Sequence, residues 1–524
     1  MQVVSIFANC FRRFWSYLFL ILILILTVAS FLYSEEFELY RDIEHLIFTK
    51  DHPFFLLLSL GLILALIVIH SKHSEENVTV PNVRTPDVGK YIVMFISALL
   101  SVFFLLTLRS QPYMDCINLI ETAEQFRNND YSSLLAPEHN SYMFIYSFQI
   151  GMVLVLECLF RILGSANYFA FQLLNVIAAV IMTRNVHELA KLIFKDEDTV
   201  RLADIFLCLC LPLFINVTFV YGDVIGWSFA VGALLCTMRW VSDKQLRHLI
   251  IAAILIAAGI QIKSNDYIFL IAILLIIVCE VTDSHQWRAL LCAALCVILP
   301  FLLSSCIKSF YANRAGIDSF PQGTPASCWI AMSIIEDKDF EDGWYNGYNM
   351  TTFRESGYNR EIADQVARAK IAERIDTFIH HPKYTIKFFG RKLISAWNEP
   401  QFNSQIKMEW STRHVENLSP VAKWMIEGSG RRVLFHTMNV LHYIIFVGTL
   451  IWMIHCLRGR ESELRGTSYL ILPVLGGMMF HLLWETQSRY MIVYYALLFP
   501  AAAAGIILSA RQVANCIERS QNKI

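Results

Sequence analysis

Long apolar runs alternate along this chain with short polar segments. The runs hold roughly 18–22 residues, close to the length that an α-helix needs to cross the hydrocarbon core of a bilayer. We therefore predict twelve membrane spans. They cover residues 14–33, 53–70, 91–108, 167–183, 202–221, 224–240, 249–262, 267–281, 289–306, 434–457, 468–484 and 490–510.

A further apolar run at residues 142–163 is interpreted from the distribution of basic residues. Cytoplasmic loops of membrane proteins collect Lys and Arg. Six basic clusters fall on one side of the membrane only if this run does not cross it. These clusters lie within residues 12–13, 72–90, 184–201, 239–247, 458–465 and 511–523. We therefore predict a juxtamembrane or re-entrant helix on the exterior side and place both termini in the cytoplasm.

Composition agrees with a polytopic membrane protein. Of the 524 residues, 56% are hydrophobic and 17% are charged, which is more apolar side chain than a soluble domain can bury. The net charge of −1 leaves no basic footprint for a nucleic acid. The sequence has no Walker motif, no GxGxxG sequence that opens a helix and no GxSxG sequence. It therefore gives no support to nucleotide-driven or serine-hydrolase chemistry.

The predicted spans divide the chain into four parts. Residues 1–90 form an accessory transmembrane hairpin with a cytoplasmic linker, and residues 91–306 form a transmembrane core with an exterior loop at 109–166. Residues 307–433 form a long exterior region. Helical spacing of apolar residues predicts a helix there over 361–379, followed by a basic, aromatic-rich interfacial helix over 383–397. Residues 434–524 hold the C-terminal membrane helices.

Polar patches on the predicted exterior side hold the candidate functional residues. The first acid after the span at 91–108 is Asp115. A carboxylate beside a membrane face is costly unless it is hydrated or used, so Asp115 is either a hydrated loop acid or a functional group. The other patches lie at 221–223, 263–266 and 485–489. They contain Asp223, Lys263, Glu485 and Arg489.

Several short motifs follow one another along the chain. The first loop holds Pro112, Asp115, Ala123, Phe126 and Asp130-Tyr131, and Tyr146, Gln149, Gly151, Phe160-Arg161 and Gly164 follow. Later come GTPASCWIAMSI, GWYNGYN, WNEP at 397–400 and WETQSRY at 484–490. Over most of residues 91–500 this series resembles the GT-C superfamily of polytopic glycosyltransferases. It looks like bacterial members related to the protein O-mannosyltransferases and lipid A aminoarabinose transferases.

The resemblance implies a GT-C-like bundle and inverting sugar transfer from a polyprenyl-phosphate carrier, with Asp115 as the general base. A positioned base contributes about 10²–10⁴-fold to such a reaction, and cations stabilise the departing phosphate. We assign phosphate contact to Lys263 and Arg489. The alternatives are a snorkelling lysine and a helical ion pair between Glu485 and Arg489.

Three residues of the re-entrant segment are assigned to the sugar pocket: Tyr142, Tyr146 and Gln149. Asp223 is either a helix-end acid or a second acid near the acceptor. The sequence leaves a Mg²⁺ or Mn²⁺ ion between Asp115 and Asp223 open.

The sequence therefore predicts a glycosyltransferase of a bacterial plasma membrane with an extracytoplasmic active site. Its partners would be a polyprenyl-phosphate-linked hexose or pentose, a glycan or envelope acceptor, and membrane lipids, with no nucleic acid. The rival functions are a transporter or flippase and a ligase of lipid-linked glycans. A transporter would commonly show paired discontinuous helices in two halves, and the sequence has no such pairing.

Overall fold

The computed structural model describes residues 2–76, 87–135, 141–459 and 461–521. These residues form α-helices connected by short turns, together with one two-stranded antiparallel sheet. The N-terminal half contains α1 (Gln2–Leu32), β1 (Tyr33–Phe37), β2 (Leu46–Lys50), α2 (Pro53–Glu76), α3 (Val88–Leu108), α4 (Asp115–Arg127), α5 (Tyr142–Ile145), α6 (Ile150–Leu163), α7 (Tyr168–Phe194), α8 (Glu197–Leu209), α9 (Leu211–Ile215), α10 (Asp223–Asp243) and α11 (Leu246–Ile262).

The C-terminal half continues with α12 (Tyr267–Ser284), α13 (Ala289–Ala315), α14 (Ala326–Ile334), α15 (Tyr348–Glu355), α16 (Arg360–His380), α17 (Pro382–Trp397), α18 (Ser404–Thr412), α19 (Pro420–Ile426), α20 (Ser429–Arg458), α21 (Glu461–Leu483) and α22 (Ile492–Gln521). Short 3₁₀ turns lie at Ser132–Leu134, Ser147–Gln149, Asn216–Thr218, Ser264–Asp266 and Ser488–Met491.

Membrane-length helices dominate the fold. Among the described residues, ten helices are long and apolar enough to cross a membrane, and a bent pair would make eleven. The helix α11 is apolar but shorter. Each of the twelve predicted spans therefore coincides with an apolar helix or helix pair, which confirms the predicted all-α polytopic class.

The predicted span at 202–221 is not one straight helix. It is built from α8 and α9, which are followed by the turn Asn216–Thr218 and meet at a 55° bend. Pro212 explains the break, because proline lacks an N–H and clashes with the preceding helical turn. Asn216 donates from its side chain to the Pro212 carbonyl at 2.7 Å. The bend places Phe219 and Tyr221 in the site described below.

The apolar run at 142–163 is divided by the turn Ser147–Gln149, and only α6 continues as a regular helix. With 14 residues, α6 is about 21 Å long at ~1.5 Å per residue, shorter than a bilayer core of about 30 Å. Its Glu157 is buried and accepts from Tyr311 at 2.5 Å and Arg314 at 2.8 Å. These features agree with the predicted non-crossing segment.

The predicted exterior helices are both present as α16 and α17. Pro382 occupies the first turn of α17, where its missing N–H has no partner to lose. Two of the basic side chains of α17 are engaged within the protein. Lys392 is buried and donates to the Ser333 carbonyl at 2.7 Å, and Arg391 pairs with Asp342 at 2.6 Å.

Ion pairs connect several of the predicted cytoplasmic loops to one another. Arg12 of α1 pairs with Asp283 of α12 at 2.7 Å. Glu280 of α12 is buried and accepts from Lys244 at 2.5 Å and from Arg465 at 2.7 Å. The helix ends that the basic-residue pattern assigned to one side therefore do meet at one end of the bundle.

Candidate active site

Asp115 is the first residue of α4, and its carboxylate is free. The side chain is exposed to solvent, and among the described residues it has no hydrogen-bond or ion-pair partner. Surrounding protein nevertheless raises the pKa of Asp115 by desolvation, and the charges of Arg489 and Lys263 oppose the shift. Since Asp115 is reached by solvent and is nevertheless desolvated by surrounding protein, we infer that it lies in a concave place beside Lys263 and Arg489, which we call the recess. An accessible carboxylate with a raised pKa is suited to accept a proton.

Asp223 is buried and forms an ion pair with Lys263, whose side chain is 11% exposed. The Lys263 Nζ lies 2.6 Å from Asp223 Oδ1, and the second carboxylate oxygen of Asp223 is buried without a hydrogen bond. The same Nζ lies 4.6 Å from the ring centre of Tyr221 and 4.9 Å from that of Tyr490. The ammonium group of Lys263 is therefore neutralised within the protein.

Arg489 lies beside the same rings without a carboxylate partner. Its guanidinium carbon is 5.5 Å from the ring centre of Phe219, 5.6 Å from that of Tyr221 and 5.1 Å from that of Tyr490. Its Nε is buried and makes no hydrogen bond. Within the described residues Arg489 forms no salt bridge, so its positive charge is available to an anion.

Glu485 and Arg489 do not form the helical ion pair that the sequence left open. The chain is non-helical between α21 and the turn at Ser488–Met491, so an i, i+4 contact on one helix face does not form. Glu485 is buried and accepts from the Tyr490 hydroxyl at 2.7 Å. Arg489 in turn donates to that hydroxyl oxygen at 3.3 Å. Burial raises the pKa of Glu485.

The three predicted sugar-pocket residues lie next to this cluster, but only one of them is partly open. Tyr142 and Gln149 are buried, and Gln149 hydrogen-bonds to the Tyr221 hydroxyl. Tyr146 is half-buried, and its hydroxyl lies 3.1 Å from that of Tyr345. Tyr146 is therefore the best placed of the three to contact a ligand.

Lys407 is a third cation that the sequence analysis missed. It lies on α18, which is buried along its whole length, and its ammonium group hydrogen-bonds to Asn216. Its Nζ lies 4.0 Å from the ring centre of Phe219, the same ring that Arg489 approaches. Burial lowers the pKa of Lys407 to about 7. Its position in a long exterior segment gave no signal of this role.

The WNEP motif fixes the turn that carries Arg489. Its Glu399 accepts from the backbone N–H of Gln401 at 2.8 Å and of Asn403 at 2.7 Å, and from the Ser488 hydroxyl at 2.7 Å. Asn403, at a φ of 60°, accepts from the Arg489 N–H at 3.0 Å. The WNEP motif therefore holds the backbone turn that positions Arg489.

Glu44 is the other missed residue, and it comes from the segment predicted to be accessory. It lies between β1 and β2 and accepts from Asn403 at 3.0 Å and from Gln487 at 2.6 Å. The N-terminal hairpin thus reaches the Arg489 turn. The predicted division of the chain into four parts stays a prediction.

A divalent cation between Asp115 and Asp223 stays an open prediction, because within the part of the chain that the structure describes Asp115 is free and Asp223 Oδ2 has no hydrogen bond, whereas Asp223 Oδ1 is already held by Lys263. Mg²⁺ is commonly bound by free carboxylates together with substrate phosphates. The positive charges of Lys263 and Arg489 already act on Asp115. Among the described residues, no group of three or more His, Cys, Asp or Glu side chains is arranged to hold a metal ion.

Comparison with known proteins links part of the chain to one family. Residues 150–304 match the family model described as dolichyl-phosphate-mannose-protein mannosyltransferase. This match contains Asp223 and Lys263 but neither Asp115 nor Arg489. No match is found among the curated proteins.

Two solved structures of an oligosaccharyltransferase from Archaeoglobus fulgidus are similar at low identity. One, AglB in complex with an inhibitory peptide and a dolichol-phosphate, is 15% identical with a TM-score of 0.41, covering 83% of this chain and 52% of that one. The other, tethered to an acceptor peptide, is 14% identical with a TM-score of 0.39, covering 80% of this chain and 49% of that one. The chain thus spans about half the length of these proteins.

The family match falls on α6 to α13, within the predicted transmembrane core. The predicted resemblance is supported over this stretch: the chain is a polytopic α-helical membrane protein that is similar there to the dolichyl-phosphate-mannose-protein mannosyltransferase family.

Proposed function

We propose that this protein transfers one sugar from a polyprenyl-phosphate carrier to a hydroxyl of an extracytoplasmic glycan or envelope acceptor, with inversion at the anomeric carbon. The donor sugar is a hexose or a pentose. The protein works as a multi-pass protein of a bacterial plasma membrane with both termini in the cytoplasm. It needs no nucleotide and no nucleic acid.

The observation that carries the proposal is the pair of unsatisfied charges in one recess. Asp115 is an exposed carboxylate without a partner, and Arg489 is a guanidinium without a carboxylate. Asp115 and Arg489 do not form an ion pair with each other. They therefore suit a reaction in which the carboxylate accepts a proton while the guanidinium binds an anion.

The transfer step uses these groups directly. The acceptor hydroxyl gives its proton to Asp115, and its oxygen attacks the anomeric carbon from the face opposite the phosphate. The bond between that carbon and the phosphate oxygen breaks, and its electron pair leaves with the lipid phosphate. Arg489 stabilises the departing charge, a contribution that is often larger than that of the base.

One carboxylate is enough for this chemistry. Glycoside hydrolysis uses two, because its leaving alcohol must be protonated. A phosphate leaves without a proton, so the second acid, Asp223, is free to pair with Lys263. Because Lys263 is engaged in this pair and lies against the rings of Tyr221 and Tyr490, we assign the main contact with the donor phosphate to Arg489. The proposed step relies on protein cations and includes no metal.

The experiment that tests the proposal is sugar transfer by membranes containing wild-type protein or Asp115→Asn, with a panel of polyprenyl-phosphate sugars. We expect turnover to fall by about 10²-fold or more while donor binding is kept, since the amide cannot accept the proton. The exposed Glu121 on the same helix provides a matched control, because Glu121→Gln changes charge equally without touching the recess.

Normal transfer by Asp115→Asn would remove Asp115 from the mechanism. If the wild type consumes no monophosphate donor, a transporter or flippase gains support. Consumption of pyrophosphate-linked oligosaccharide alone would instead indicate a ligase.

A further inference from the structure

Five aromatic side chains form a continuous wall centred on Trp329 of α14. The ring centre of Trp329 lies 5.8 Å from Phe148, 6.2 Å from Tyr146 and 6.5 Å from Tyr345. It also stacks on Trp484 at 6.3 Å with an angle of 9° between the rings. We call these residues, contributed by four separate segments of the chain, the aromatic wall.

The rings of the aromatic wall are accessible. Phe148 is 45% exposed, and the other four side chains are half-buried. Other large rings of the exterior region are used differently, since Trp344 and Trp397 are 1% and 0% exposed and fill the interior. The wall is therefore a surface that packing within the described residues does not cover.

The aromatic wall also carries polar groups at its edge. The hydroxyls of Tyr146 and Tyr345 lie 3.1 Å apart, and the Trp329 indole N–H has no hydrogen-bond partner among the described residues. Flat apolar faces with hydroxyl and N–H groups at their rims match the surface of a sugar ring. A sugar presents C–H bonds on one face, which are attracted to the negative face of an aromatic ring, and hydroxyls at its edge.

The position of the wall relative to the charged groups indicates which substrate it serves. The cations Lys263 and Arg489 lie against Tyr221 and Tyr490, outside the wall. The wall joins the recess at Tyr146 and Tyr345, whose hydroxyls lie near enough to Asp115 and Glu485 for both carboxylates to act on them. A phosphate belongs on the cation side, and the substrate that gives up a proton belongs on the side of the base.

We propose that the aromatic wall is the acceptor subsite and that it binds a carbohydrate by stacking a sugar ring on Trp329. This inference rests on the proposed function and narrows its acceptor to a glycan. A path for the isoprenoid tail of the donor would need apolar area but neither flat rings nor free hydrogen-bonding groups. The flat rings and polar rim of the wall therefore match a sugar better than an isoprenoid tail.

Two substitutions of Trp329 distinguish a sugar ring from an isoprenoid tail as the ligand of the aromatic wall. Trp329→Phe keeps a flat ring, whereas Trp329→Leu keeps apolar area and removes the ring. Trp287, an exposed tryptophan that follows α12 far from the wall, provides the control Trp287→Leu. The full chain in lipid nanodiscs would be tested for binding to defined gluco-, manno- and chito-oligosaccharides and, separately, to undecaprenyl phosphate.

We expect Trp329→Leu to weaken oligosaccharide binding about tenfold, Trp329→Phe to stay within about threefold, and undecaprenyl phosphate binding to be unchanged in both. The inference is overturned if the wild type binds no oligosaccharide, or if Trp329→Leu changes only undecaprenyl phosphate binding. The function proposed above is judged separately by donor consumption, which can succeed while this inference fails.

Discussion

At the scale of single residues, Arg489 is held in place by groups that leave its charge unused. Its backbone N–H is bound by Asn403, and its guanidinium donates to the Tyr490 hydroxyl. No carboxylate among the described residues pairs with it. A cation inside a protein without an opposite charge is costly, so a bound phosphate would relieve this cost.

This arrangement predicts different outcomes for two substitutions of Arg489. Arg489→Gln removes the charge and should weaken binding of a polyprenyl-phosphate donor by about 10²-fold. Arg489→Lys keeps the positive charge but cannot form bidentate hydrogen bonds to a phosphate, so it should retain part of that affinity. Donor affinity would be measured by isothermal calorimetry in nanodiscs. Because no ion pair is lost, we expect an unchanged Tm; a large fall would indicate that Arg489 is structural.

Glu399 predicts a pH dependence of stability. Its pKa is raised by burial from the usual 4.5 to about 7, so between these pH values the folded chain binds more protons than the unfolded chain. Stability from this group is therefore fully present below pH 4.5 and is lost as the pH rises through about 7. The size of the effect is ~3 kcal/mol.

Glu399→Gln should flatten this part of the profile, since the amide stays neutral. Its single oxygen replaces the acceptor of only one of the two backbone N–H groups, so we also expect a lower stability at every pH. The measurement is thermal unfolding of purified protein between pH 4.5 and 8. The exposed Glu427 gives the control Glu427→Gln, which should retain the wild-type slope. An unaltered slope in Glu399→Gln would mean that Glu399 is ionised throughout.

Some of the site residues could be read from the sequence, and the reason is physical. Asp115, Asp223, Lys263 and Arg489 are charged residues at the ends of apolar runs, where a charge is conspicuous. Lys407 could not be recognised in this way. It lies in a polar segment, and its importance comes from the burial of α18 against Phe219 and Asn216, a long-range contact that local patterns do not encode.

At the scale of elements, apolar periodicity was a good guide to where helices lie and a poor guide to how they bend or meet. Both exterior helices, α16 and α17, follow from spacing and from Pro382. The break between α8 and α9 was missed because the run is continuous in hydrophobicity although Pro212 interrupts its hydrogen bonds. The β1–β2 hairpin was missed because its strands have five residues each.

The β1–β2 hairpin has a testable role, because it delivers Glu44 to the Arg489 turn. Glu44→Ala leaves the side-chain N–H groups of Asn403 and Gln487 without an acceptor, at a cost of about 1–3 kcal/mol. We expect a roughly tenfold rise in donor KM with a smaller change in kcat, since the turn loosens while Asp115 is untouched. Transfer kinetics with varied donor would measure both.

The control for this experiment lies on the same hairpin. Glu38 pairs with the half-exposed Arg41 at 2.7 Å, and surface pairs of this kind contribute less than about 1 kcal/mol. Glu38→Ala should therefore leave donor KM unchanged. Equal effects of the two substitutions would show that the hairpin acts only through general stability.

At the scale of the whole molecule, the two ends of the helix bundle have different chemistry. One end holds the recess with Asp115 and Arg489, and the other end holds ion pairs among the basic loops, such as that of Arg12 with Asp283. The 30-residue helix α22 connects them. It begins beside Arg489 and extends ~45 Å at ~1.5 Å per residue, far enough to cross the hydrocarbon core.

This polarity predicts the orientation of the protein, because basic loops remain in the cytoplasm. Cys516 is exposed near the end of α22, and Glu416 is exposed in the predicted exterior region between α18 and α19. In a background without other cysteines, we expect a membrane-impermeant maleimide to label Glu416→Cys in intact cells. Cys516 should react only after the membrane is permeabilised. Labelling of Cys516 in intact cells would reverse the orientation and place the recess in the cytoplasm, where an extracytoplasmic acceptor could not reach Asp115.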